Sequence, residues 1–170
     1  MRIFGAVVAV FVLVGSGVAQ SAAPARLKPP ATHRLTAAEA AEVLQGDCTE
    51  VKRTAAFPEA LKLAFRNAMR EREFSLADPG EEYQSSDVIL KPGLPGRRLV
   101  FASNCAKYWL VYYERGGFAH YYAATMFEQV SARVMRQVWG GAGGEKARNR
   151  DALRAEIASK EMKAGVGTQF

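Results

Sequence analysis

The order of elements along the chain predicts an α+β domain. It is an antiparallel meander of four or five strands packed against an amphipathic helix, with an N-terminal helix before it and a peripheral C-terminal helix after it. Three observations carry that reading. Residues 107–128, KYWLVYYERGGFAHYYAATMFE, hold the densest aromatic and β-branched content of the chain. Two strand-favouring runs, 108–113 and 118–127, flank Glu114, Arg115, Gly116 and Gly117, and glycine supplies the positive φ that a tight reversal needs. Residues 57–70 place Phe57, Leu61, Ala64, Phe65 and Ala68 on one face at spacings of three and four. Finally, helical patterns bracket the strands instead of alternating with them.

Taken in order, residues 1–19 have the three parts of a secretory signal peptide. Arg2 opens it, an uncharged run fills 3–14, and small residues end at Ala19, with Ala22 or Ala23 as other cleavage points. The apolar run is broken by Gly15 and Gly17 and falls short of the roughly 20 residues a membrane span needs. Residues 20–34 are rich in Ala, Pro and Ser and predict a flexible spacer. A single α+β domain is expected over 35–163, with a frayed tail at 164–170.

Within that domain Thr36 and Glu39 form a capping-box pattern, Leu35 and Ala40 can close a hydrophobic staple, and Gly46 is a natural stop. Pro58 is placed at the first position of the second helix, where its missing donor costs nothing. Lys62, Arg66 and Arg70 give that helix a basic ridge suited either to solvent or to an anionic partner. The pattern then dissolves into turns. Asp78, Pro79 and Gly80 are followed by a short strand at 87–90 and a Pro- and Gly-punctuated connection through Gly96. Residues 98–103 predict a strand that turns at Asn104, Cys105 and Ala106 into the central hairpin.

In the hairpin Trp109, Val111 and Tyr113 fall on one face and Tyr108, Leu110 and Tyr112 on the other. Both are apolar, so one face is expected to meet helices and the other a loop, a partner or a ligand. Past a break at 128–131, residues 133–139 predict another strand, with a helix over 131–137 as the alternative. The glycines at 140–144 end the sheet. A last helix over 149–163 has only Leu153 and Ile157 as strong anchors.

The 170 residues carry 23 Lys and Arg against 17 Asp and Glu, a net charge of +6. The positive charge is dispersed, and export argues against a nucleic-acid role; a general preference for acidic surfaces is all it implies. The two cysteines, Cys48 and Cys105, predict a disulfide in an oxidising compartment, worth about 4 kcal/mol in the chain-entropy model. A Cys nucleophile paired with His120 is the competing reading. No cofactor motif and no metal-ligand spacing is present: there are two histidines, and His33 lies in the spacer.

His120 is expected on the second central strand beside Tyr121 and Tyr122, oriented by a Tyr hydroxyl or by Glu114. It serves either as a structural imidazole or as a general base. The candidate binding residues are Tyr108, Tyr112, His120 and Tyr122 on the aromatic strands, with Tyr83 and Arg97 from the preceding loop. The function these imply is a non-catalytic exported binding protein of the cell envelope, periplasmic or extracellular. Its partner is an envelope protein, a glycan or a small ligand. A small exported hydrolase with His120 as base is the alternative.

Overall fold

The computed structural model describes residues 34–88, 91–117, 119–143 and 145–164. The leader at 1–19, all but the last residue of the spacer, and residues 165–170 of the tail lie outside them. The elements run α1 (Ala37–Val43), β1 (Cys48–Val51), α2 (Glu59–Ala68), β2 (Arg97–Cys105), β3 (Tyr108–Arg115), β4 (Tyr121–Ser131), β5 (Val134–Gly143), α3 (Arg150–Ser159) and β6 (Lys163–Ala164). The strands form one sheet in the order β1-β2-β3-β4-β5-β6, every neighbour antiparallel. The chain is therefore an α+β meander, as the order of elements predicts.

The two faces of β3 explain the layering. On one side Trp109, Val111 and Tyr113 bury against Phe57, Leu61, Ala64 and Phe65 of the α2 region. The rings there meet edge-on or tilted, Phe65 lying 5.5 Å from Tyr113 and Phe57 6.0 Å from Trp109 between centroids, the arrangement favoured by ring quadrupoles. On the other side Leu110 and Tyr112 bury beneath Leu44 and Ala40 of the α1 region and Leu153 and Ile157 of α3. The second face is thus roofed by helices rather than left to a loop or ligand. So thin an apolar stripe suffices for α3 because Leu153 and Ile157 are both fully buried.

The helix ends follow their sequence signals. Thr36 and Glu39 close the capping box reciprocally, and Asn149 caps α3 by accepting from the Ala152 N–H at 2.9 Å. Pro58 is the N-cap of α2 in extended backbone (φ −63°, ψ 148°), one position before the helical place expected for it. Lys62 on the basic ridge is neutralised locally by Glu59 at 2.8 Å, while Arg66 donates to the uncharged Asn67 side chain.

Several boundaries differ from expectation, each for a local reason. The central turn spans five residues, 116–120, because Arg115 pairs with Tyr121; His120 therefore sits in the loop and not on a strand. β2 continues through Asn104 and Cys105, and Ala106 takes the left-handed turn position at φ 53°. β4 runs unbroken to Ser131, and of the glycines expected to end the sheet Gly140, Gly141 and Gly143 lie inside β5, Gly144 lying outside the described residues. Gly141 is required there, since a Cβ would sit 2.8 Å from the Trp139 ring. Asp87 and Val88 form a bend and not a strand, the rest of that expected element lying outside the described residues. Strands β1 and β6 went unforeseen, being four and two residues long, and Ala164 pairs with Gly141 where the tail was expected to fray.

Cys48 and Cys105 are bonded and sit directly opposite each other across β1 and β2, with Cα atoms 4.2 Å apart. The bond closes a sequence separation of 57 residues that includes all of α2. Reduction is expected to lower the melting temperature by about 10 °C, following from about 4 kcal/mol of lost constraint. A thermal melt with and without reductant measures it, and an unchanged transition contradicts the structural role of the bond.

Candidate functional site

The two core layers run out at one end of the sheet, and polar groups gather there. Arg98, Glu114 and Tyr122 form a cross-strand row on β2, β3 and β4. Glu114 is buried at 5 % exposure, so its carboxylate needs partners. Arg98 Nε donates to Oε1 at 2.5 Å, and His120 Nε2 lies 3.1 Å from Oε2. The Tyr83 hydroxyl faces the same carboxylate closely enough for each to shift the other's pKa. The Arg98 guanidinium stacks over the Tyr83 ring at 4.4 Å, and the His120 ring meets Tyr122 edge-on at 5.1 Å.

The register that makes this row comes from a bulge. Counting back from the Ala106–Lys107 turn would set Leu99 opposite Glu114; the irregularity between Leu99 and Phe101 moves every earlier residue by one and puts Arg98 there instead. Tyr83 arrives by a second device. The backbone of Gln84 and Ser85 lies so close to Gly116 that a Cβ would meet the Gln84 carbonyl oxygen at 2.0 Å. Gly117 N–H donates to the Ser85 carbonyl at 3.3 Å and Gln84 N–H to that of Pro95 at 2.8 Å, which lays the segment across the loop with Tyr83 pointing inward.

Burial works against the charged form of Glu114. The hydrogen bonds from Arg98 and His120, the Arg98 charge and the Tyr83 hydroxyl outweigh it and hold the carboxyl below its ordinary value. Burial, followed by the neighbouring Glu114 charge, pushes the Tyr83 and Tyr122 hydroxyls up. Both stay protonated at neutral pH.

Of the six residues expected to bind, the structure brings Tyr83, His120 and Tyr122 together around Glu114. Tyr112 lies beside them, its ring 6.0 Å from Tyr122, but it is fully buried, its hydroxyl accepting from the Ala147 N–H at 2.8 Å. Tyr108 is at the far end of β3 under the Lys107 ammonium. Arg97 points to the opposite face, buried and paired with Glu71. Arg98 is not among the residues the sequence points to; it reaches Glu114 from β2 only through the bulge between Leu99 and Phe101.

Chemically, the His120–Glu114 pair resembles the orienting half of a hydrolytic dyad, but both cysteines of the chain are consumed by their bond. Among the described residues no group of three His, Cys, Asp or Glu side chains converges as a metal would require. No described helix is long and apolar enough to cross a membrane. The class these features define is a disulfide-bonded α+β meander with one polar end to its sheet. The chain matches no family model, no curated protein and no solved structure.

Two outcomes check the geometry. Gly116→Ala is expected to lower unfolding free energy by about 2 kcal/mol, as strain at a close backbone contact does, measured by urea titration; a neutral effect means the 84–85 segment does not rest on the loop. Because the folded-state pKa of Glu114 is depressed, its contribution is present above the unfolded value and lost as pH falls through the folded one. Glu114→Gln should therefore be less stable at pH 7 by about 2 kcal/mol and lose less on acidification, which melts from pH 7 to pH 2 resolve.

Proposed function

We propose that the chain is an exported, non-catalytic interaction protein of the cell envelope, periplasmic or extracellular. Its contact surface is the polar end of the sheet around His120 and Tyr122. The leader-like residues 1–19 and a structural disulfide support export, since such bonds persist in oxidising compartments. The observation that carries the binding reading is the state of Glu114. Its two oxygens are engaged by Arg98 and His120, while the His120 side chain remains 42 % exposed and Tyr122 half-buried.

Such a cluster presents ring edges and nitrogen donors in fixed positions. A partner docking there immobilises few additional side chains, and so loses little affinity to ordering. The aromatic sheet face itself is covered, so the contact narrows to this end and the adjacent 83–86 segment. The partner is an envelope protein, a glycan or a small ligand. One observation favours the second reading, a small hydrolase: a carboxylate-oriented imidazole is suited to activating water.

Capture from envelope extract with the immobilised protein separates the two. Tyr122→Ala and His120→Ala are expected to lose the captured partner while melting within a few degrees of the parent, and the exposed Leu63→Ala on α2 is expected to keep it. Retention by both site variants, or turnover of an ester or glycoside substrate that His120→Ala abolishes, overturns the non-catalytic reading.

A further inference from the structure

A second depression, separate from His120 and Tyr122, lies on the helix-roofed side of the sheet beyond the outer strands. Its volume is about 560 Å³, within the range of small-ligand sites. The floor is Phe101 and Val100 of β2. Lys52 and Arg53, following β1, form one wall, and Lys146 and Arg148, from the connection between β5 and α3, form the other.

Both walls are pinned. Thr54 N–H donates to Asp78 Oδ1 at 2.6 Å and fixes the chain just past Arg53. On the opposite side the Tyr112 hydroxyl accepts from Ala147 N–H at 2.8 Å, and Arg150 Nη1 donates to the Cys48 carbonyl at 3.1 Å. Ala147 is buried while Lys146 and Arg148 on either side of it are exposed, so the anchor turns both cations outward over the groove.

Three carboxylates share the lining with four cations, so its net charge is +1. Glu50 lies 3.4 Å from Lys52, Asp78 accepts from Thr54 as above, and Glu81 Oε2 accepts from Asp78 N–H at 3.1 Å. Among the described residues Arg53, Lys146 and Arg148 have no ion-pair partner. Asp78 and Glu81 keep their charge while bonded to backbone N–H groups, so an anion is favoured where it sits nearer to Arg53, Lys146 and Arg148 than to them. The capped N-terminus of α3, at Asn149, opens on the same groove and adds its positive end.

We infer that this groove binds a small organic polyanion, a phosphate ester or polycarboxylate with a compact apolar body. The charged groups lie between the two basic walls and the body rests on Phe101 and Val100. The apolar body rests chiefly on the half-buried Val100, since Phe101 is almost wholly covered by the core, and adds a contact that a bare inorganic anion lacks. The inference does not rest on the interaction surface at His120 and Tyr122 and fails or stands without it.

Amide chemical shifts of the full mature chain, titrated at constant ionic strength with phenyl phosphate, phthalate and inorganic phosphate, test it. Saturable shifts at 52–54 and 146–149 are expected with the aromatic anions, the tighter of the two telling phosphate ester from carboxylate, and weaker binding with inorganic phosphate. The paired change Lys146→Glu and Arg148→Glu should weaken the aromatic anion by about tenfold. Arg53→Glu on the opposite wall should act in the same direction, whereas Lys62→Glu on α2 and His120→Ala should change nothing. Absence of saturation, equal affinity for inorganic phosphate, or an equal loss in Lys62→Glu overturns the assignment.

Discussion

A strand that is apolar on both faces can be stable only between two layers, and that requirement organises this molecule. From Trp109 to Glu114 every residue of β3 is buried. No one-sided packing would satisfy it: whichever face was left to water would expose either Leu110 and Tyr112 or Val111 and Tyr113, at roughly 2 kcal/mol for each large side chain. The meander with α2 beneath and α1 and α3 above is the arrangement that removes both sets of side chains from water. Each helix needs only a modest stripe because β3 and its neighbours supply most of the apolar surface.

The polar end follows from the same requirement. A central strand enclosed on both sides must still emerge from the core, and at Glu114 and Arg115 it does. The residue facing the α1–α3 side there is a carboxylate whose desolvation is offset by a guanidinium, an imidazole and a phenol drawn from three other segments of chain. Chemical possibility concentrates there because side chains and backbone alike are positioned by mutual contact. Where Tyr112 meets Ala147, one buried hydroxyl links the core to a surface loop, so packing inside the sheet sets the geometry of the basic groove outside it.

The fold was largely legible. The capping box at Thr36, the three-and-four spacing from Phe57 to Phe65, and the alternating faces of 108–113 are signals written within a few residues of each other, and all were realised. What was not legible depends on distant partners. The four-residue β1 is a strand because Cys105 stands opposite Cys48. Gly141 continues β5 because the Trp139 ring and the Lys163 backbone of β6 lie where a side chain would be. The candidate site was half legible: aromatic and imidazole groups could be named, and Glu114 suspected as the partner of His120. Arg98 could not be placed, since a bulge decides which residue faces Glu114, and bulges leave no mark in composition or period.

The position of the disulfide bears on how the chain assembles. From β2 to β5 each strand is joined to its neighbour by a turn of two to five residues, so those hairpins zip with little loop-closure entropy to overcome. The β1–β2 contact instead spans 57 residues of sequence, so its closure costs more entropy than that of any hairpin in the sheet. The bond thus fastens the sheet at the strand contact whose closure costs the most chain entropy, a clasp on the long loop that no tight turn shortens.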